Sequence, residues 1–252
     1  MESAAALGGR AAHLEHVTSR VRALAKSLER AHRERKPVSL PADLTNEEAY
    51  QVQDLVFEAL AAGARPNAWK VGGPGASAEP TVAQILPGRL LASPAQVAAA
   101  GFRMIGVEIE IAFRLDGNGE PVEALAAIEV CDTRLADWKS ASPTAKLADF
   151  QSNAALVTGS GTARWQELNF TAQRAELWID RRLAKEVAGV HPYGNPARLL
   201  PAARKHAASR GGLRAGDVVT TGSWTGMDFV GAGAEVRAVF PGIGEAVVQL
   251  KV

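Results

Sequence analysis

Along residues 106–115 the chain reads Gly-Val-Glu-Ile-Glu-Ile-Ala-Phe-Arg-Leu, a strict alternation. Val107, Ile109, Ile111 and Phe113 fall on one side; Glu108, Glu110 and Ala112 fall on the other. A period of two predicts a β-strand. Elsewhere the period is helical. From about Ala12 to Glu34, the residues Leu14, Val17, Val21, Leu24 and Leu28 recur at three- and four-residue spacing, with Arg20, Arg22, Lys26 and Arg30 on the wet side. Lys36-Pro37 ends this helix. Thr45 opens a second one, Glu48 completes a capping box, and the apolar positions run through Val52, Leu55, Val56 and Leu60 to Gly63.

After Arg65-Pro66 the signals are mostly those of strands. Trp69–Gly72 leads into a glycine-rich loop at Gly72-Gly73-Pro74-Gly75, and Asp116-Gly117-Asn118-Gly119 is a strong turn. Extended segments are expected over 122–127 and 127–132, twice within 168–182, and over 217–221, 235–240 and 245–252. Gly194-Asn195-Pro196 starts a helix that Gly211-Gly212 stops. No internal repeat or linker divides the pattern. A helical arm over 1–65 followed by one domain over 66–252 is the expected organisation.

Composition narrows the classes. The chain has 252 residues, 47% hydrophobic and 22% charged, and a formal net charge of +1. That balance gives no electrostatic reason to expect nucleic acid or an acidic membrane as partner. A single cysteine, Cys131, forbids an intrachain disulfide and fits a reducing compartment. No apolar run is long enough to span a bilayer. The N-terminal stretch carries Glu2, Glu15, Glu29 and Glu34 and lacks the apolar run of a secretory signal, so a cytoplasmic protein is expected.

Candidate chemistry sits on the strand at 106–115. Glu108 and Glu110 share a face with Cα atoms roughly 6.5–7 Å apart, and two acids so placed repel unless a cation lies between them. A solvated strand face is the other reading of the same pattern. Glu129 lies in an apolar run, where an acid is costly unless paired or metal-bound. Lys70 stands between bulky apolar neighbours, which suits either a snorkelling side chain or one that meets an anionic ligand. Asp132 and Arg134 are expected to pair locally. Asp149, Gln151, Ser152 and Asn153 cluster as a polar wall. In Gly222-Ser223-Trp224-Thr225-Gly226, hydroxyls and glycine N–H groups could hold a carboxylate or could simply make a turn. His13 and His16 are spaced i, i+3 but have no acidic or Cys companion, and they read as surface residues.

Taken in order, Trp69-Lys70-Val71-Gly72, the Glu-x-Glu strand, Glu129-Val130-Cys131-Asp132-Thr133-Arg134, Asp149-Phe150-Gln151-Ser152-Asn153 and the 222–226 loop resemble the fumarylacetoacetate hydrolase superfamily. The branch is that of 2-keto-4-pentenoate hydratases and 4-oxalocrotonate decarboxylases, and the resemblance covers about Tyr50 to Val252. It implies an α+β fold, with mixed strands rolled into a buckled pseudo-barrel and helices outside. It implies Mg²⁺, or Mn²⁺, held by Glu108, Glu110 and Glu129, with Lys70 and Asp149 as catalytic residues. Lys70, Ser223 and Thr225 would bind a small 2-oxo acid. The implied activity is hydration of 2-hydroxypenta-2,4-dienoate to 4-hydroxy-2-oxovalerate in aromatic-compound catabolism. A 4-oxalocrotonate-type decarboxylase, a hydrolase of β-diketo acids and a non-catalytic partner subunit are the alternatives. A homo-oligomer is expected.

Overall fold

The computed structural model describes residues 17–252 apart from Pro74 and Ala76, so the His13–His16 pair lies outside the described residues. Helix α1 spans Ser19–Glu34 with Thr18 as N-cap, which fixes the start of the predicted periodic run within this range. Helix α2, Asn46–Ala61, has the capping box of Thr45 and Glu48. Their apolar faces do not stand apart as an arm: Val21, Leu28, Val52 and Phe57 share one core with Leu147, Ala148 and Phe150 of the body.

Thirteen strands follow among the described residues. They are β1 Ala68–Gly72, β2 Thr81–Gln84, β3 Leu90–Ala92, β4 Ala95–Ala98, β5 Gly106–Leu115, β6 Pro121–Cys131, β7 Asn153–Thr162, β8 Arg174–Ile179, β9 Arg182–Ala188, β10 Val218–Ser223, β11 Asp228–Phe229, β12 Glu235–Phe240 and β13 Gly244–Lys251. Two short helices, α3 Pro143–Ala148 and α4 Leu200–Ala208, complete the set. An eight-stranded sheet runs β2-β1-β10-β5-β6-β7-β3, with β11 added to β5; a five-stranded sheet runs β4-β13-β12-β8-β9. Both are mixed, with β1–β10, β3–β7 and β4–β13 parallel. This is the curled, mixed-sheet α+β architecture expected from the resemblance.

The alternation in β5 is realised as the pattern demands. Val107, Ile109, Ile111 and Phe113 enter the core between the two sheets, with Val236, Phe240 and Val248 from the smaller one. The sheets approach so closely that a Cβ on Gly159 would lie 1.8 Å from the Glu245 carbonyl oxygen, which explains a glycine in the middle of β7. Glu108 and Glu110 point to the opposite face, toward the helical layer.

Two local expectations need correction. The first part of 168–182 is not a strand: Asn169 Oδ1 accepts from the N–H and hydroxyl of Thr171, an Asx-turn that ends extended backbone there. The two strands of that region instead form the β8–β9 hairpin about Asp180-Arg181, both at positive φ. The segments at 122–127 and 127–132 are one long strand, β6. Among the described residues no helix is long and apolar enough to cross a membrane.

A candidate metal centre in the eight-stranded sheet

Register brings the acids together. On β5 and β6, Glu108 stands directly opposite Glu129, and Glu110 is two residues along the same face. β10 lies between β5 and β1, and from β1 Lys70 reaches across to the acids. Its Nζ is 2.6 Å from Glu129 Oε2 and 3.5 Å from Glu108 Oε2. All four groups are buried or nearly so, with Glu110 and Glu129 fully buried. The solvated-face reading of the Glu-x-Glu strand is therefore excluded. A snorkelling Lys70 is excluded as well, because the residue is 8% exposed and its ammonium points inward.

The partners of these oxygens are incomplete. Asn153 donates from Nδ2 to Glu129 Oε1 at 2.9 Å. Glu110 Oε2 accepts from the Thr220 hydroxyl and from the Gly222 N–H. Glu110 Oε1 is buried without a hydrogen-bond partner, and Glu129 Oε2 has only the ion pair to Lys70. Three carboxylates against one ammonium leave two negative charges in excess. Buried carboxylates in that state take up protons or bind a cation. Burial pushes Glu129 up to about 7 in spite of Lys70, and it raises Glu108 and Glu110 as well. Burial alone would lower Lys70, but Glu129 and Glu108 more than offset this and hold it well above the usual lysine value. It stays an ammonium.

The donor set therefore fits a hard divalent cation: oxygen ligands, an orphaned buried oxygen and a charge excess of matching size. A further donor beside the three carboxylates, overlooked in the sequence, is Cys131. One ligand atom each from Glu108, Glu129 and Cys131 lie within 4.8 Å of one another. Its position two residues after Glu129 on the same strand face was the available signal. Burial, then the charges of Glu129 and Glu108, push this thiol well above the usual cysteine value, so it remains a neutral and weak ligand beside the carboxylates. Protons and metal compete for the same oxygens. Affinity for Mg²⁺ or Mn²⁺ is expected to fall as pH drops below about 7, approaching tenfold per pH unit; calorimetric titrations between pH 5.5 and 8 would measure it.

Asp149 does not join this centre, which corrects its assignment as a catalytic residue. Its carboxylate is fully buried and saturated: Oδ2 accepts from the Thr133 hydroxyl and the Arg134 N–H, and Oδ1 from Arg134 Nε. Arg134 is thus paired with Asp149 and not with Asp132, whose Oδ1 caps the N–H groups of Arg103 and Met104. What Asp149 anchors is unusual. Phe150, Gln151 and Ser152 follow it with φ of 51°, 52° and 64°, three successive residues in the left-handed region. Each costs about 1–2 kcal/mol. The turn is held by Asp149, by Trp138 Nε1 donating to Ser152 Oγ at 2.9 Å and by Gln151 Nε2 donating to Thr81 Oγ1 at 2.6 Å. It turns the Gln151 carbonyl toward Lys70 Nζ, 3.5 Å away.

A cleft opens over the centre, with Lys70, Glu108, Gln151, Gly222, Ser223 and Lys146 in its wall. Ser223 borders it, whereas Thr225 is not in its lining; both hydroxyls donate to the Gly226 carbonyl and brace the loop. Lys146, at the other wall, packs its ammonium 4.5 Å from the Trp138 ring centre. Among the described residues no histidine lines the cleft. His191 is buried behind it, with Nε2 2.9 Å from the Thr221 carbonyl.

Comparison with known proteins bears on the family and the fold. The family model described as fumarylacetoacetate (FAA) hydrolase, C-terminal, matches residues 86–251. A 4-oxalocrotonate decarboxylase from Pseudomonas sp is 28% identical over 223 residues, covering 80% of this chain and 85% of that protein. A 2-keto-4-pentenoate hydratase from Paraburkholderia phymatum is 33% identical over 127 residues, 50% of this chain and 48% of that one. The solved structure of 4-oxalocrotonate decarboxylase from Pseudomonas putida G7, complexed with magnesium and adipate, superposes with a TM-score of 0.80 at 18% identity, over 92% of this chain and 98% of that chain.

Proposed function

The chain belongs to the fumarylacetoacetate hydrolase family, and on that premise we propose that it is a divalent-metal-dependent lyase acting on small 2-oxo acids. The observation that carries this reading is the buried cluster of Glu108, Glu110 and Glu129 with its two uncompensated charges, facing a cleft that also holds Lys70. The three carboxylates would hold the ion. When bound, the ion supplies a fixed positive charge that stabilises negative charge growing on a 2-oxo oxygen. Lys70 holds a proton at Nζ beside the same point and can hand it to that oxygen. Asn153 keeps Glu129 oriented, and the Gln151 carbonyl aims the lysine. Ser223, in the cleft wall, lies where the substrate's carboxylate would sit.

The second cation in the wall favours a substrate with two carboxylates. Lys146 gives the cleft a positive group apart from the acid cluster, which suits a 4-oxalocrotonate-type dicarboxylate that loses CO₂. The adipate bound by the decarboxylase relative supports this. The electrons left by the departing carboxylate run through the conjugated chain to the 2-oxo oxygen, which takes up one proton. Hydration of 2-hydroxypenta-2,4-dienoate, the reaction first expected, is the second reading; the hydratase relatives, 33% and 34% identical over about half the chain, support it. The hydrolase alternative would need an activated water, and among the described residues no histidine lines the cleft to make one.

The test is an assay of both substrates with Mg²⁺ on the wild type and on Lys146→Gln. Loss of one charged contact is expected to raise KM for 4-oxalocrotonate roughly 10–100-fold with kcat little changed, and to leave any turnover of 2-hydroxypenta-2,4-dienoate alone. Equal effects on both substrates would refute the dicarboxylate reading.

A further inference from the structure

A second cavity lies behind the metal centre. It is bounded by the C-terminal end of α1, the turn before β3, and the loops that enter β5 and leave β6, and it has no part in the chemistry above. Among the described residues its wall carries His32, Arg35, Lys36, Arg89, Arg103 and Arg134 against one acid, Asp132. Most of these charges have partners. Arg134 is bound to Asp149, Arg35 donates to the Ala100 carbonyl, Arg103 to the Ala136 carbonyl, and Lys36 sits 3.1 Å from Glu34. Asp132 spends one oxygen on two backbone N–H groups.

Two groups are left over. Among the described residues the Arg89 guanidinium has no hydrogen bond or ion pair, and His32 Nε2 is buried without a hydrogen-bond partner. Burial, then Arg134 and Arg89, drive the pKa of His32 well below the usual histidine value; burial, then Arg134 and Arg35, lower that of Arg89, against the opposing charge of Asp132. A buried ring nitrogen with no partner and, on the same cavity, the unpaired guanidinium of an exposed arginine leave polar groups that an anion can engage, His32 doing so with Nε2 protonated.

We propose that this cavity binds a compact oxyanion through Arg89 and His32. The lining sets the class: several cationic groups around a small cavity suit a compact oxyanion such as inorganic phosphate or a short carboxylic acid. The site is joined to the metal centre by covalent neighbours. Asn153 lines the cavity and donates to Glu129, and Phe150, also in its wall, opens the left-handed turn that presents the Gln151 carbonyl to Lys70. Occupancy therefore reports to the centre through one side chain and one strained turn, and a bound anion strengthens the centre's hold on a cation by adding negative charge behind it.

Isothermal titration calorimetry on the full chain with saturating Mg²⁺ tests this, using inorganic phosphate in one arm and fumarate in the other. Saturable binding of at least one anion is expected, weakened at least tenfold by Arg89→Ala and by His32→Ala and unchanged by Lys70→Ala. Whichever arm shows it identifies the oxyanion. Arg89 is an exposed residue, so this variant is expected to keep the wild-type melting temperature. Absence of saturable heat in both arms, binding that Arg89→Ala leaves intact, or binding abolished by Lys70→Ala, which would put the anion in the catalytic cleft, overturns the proposal.

Discussion

Glu129→Gln is expected to weaken Mg²⁺ or Mn²⁺ binding by at least about 100-fold and to remove measurable turnover at millimolar metal. The substitution is isosteric. The amide oxygen can still accept from Asn153 Nδ2, and no cavity is made at this fully buried site. What disappears is one anionic ligand at the position where the charges of β5 and β6 meet. The loss also removes the partner of Lys70, whose ammonium would be left with Glu108 at 3.5 Å. Because the core face of β6 is untouched, the variant is expected to fold with the wild-type circular dichroism spectrum, so that lost binding can be read as a lost ligand. A variant with wild-type metal affinity would mean that Glu129 is buried for structural reasons alone.

Lys70→Ala separates metal binding from chemistry. The ammonium competes with any cation for Glu129 and Glu108, so its removal is expected to leave metal affinity unchanged or several-fold tighter. Turnover depends on the proton and the charge that Lys70 holds at the cleft, and kcat is expected to fall by about 10²–10⁴-fold. The same removal leaves three buried acids with no counter-charge in metal-free protein. Breaking such an arrangement costs several kcal/mol, and the expected result is a lowered melting temperature that added Mg²⁺ restores. Loss of fold even with metal present would assign Lys70 a purely structural role.

The elements that carry the site were legible because each rests on a short-range pattern. Alternation along 106–115 fixed which face the acids share, and an acid amid Ile128 and Val130 had to have a reason to be buried. The capping box at Thr45 and the turn at Asp116–Gly119 are local signals of the same kind. Asp149 failed because its role is set by a guanidinium fifteen residues upstream, which sequence spacing ties as readily to Asp132. The choice is decided by the left-handed turn at Phe150–Ser152, three residues of ordinary type in a conformation they do not prefer. Nothing in Phe-Gln-Ser announces it; the anchoring bonds come from Arg134, Trp138 and Thr81. The cationic cavity was invisible for the same reason, since His32, Arg89 and Arg134 meet only after α1 docks beside the sheet.

The central claim is that Glu108, Glu110 and Glu129 form one divalent-ion site that turnover requires. Titration of Mn²⁺ into metal-free protein, followed by electron paramagnetic resonance of the free ion, tests it most directly. One site per chain in the wild type, absent in Glu129→Gln and kept in Lys70→Ala, is the predicted result. No stoichiometric binding in the wild type, or equal binding in Glu129→Gln, would contradict it.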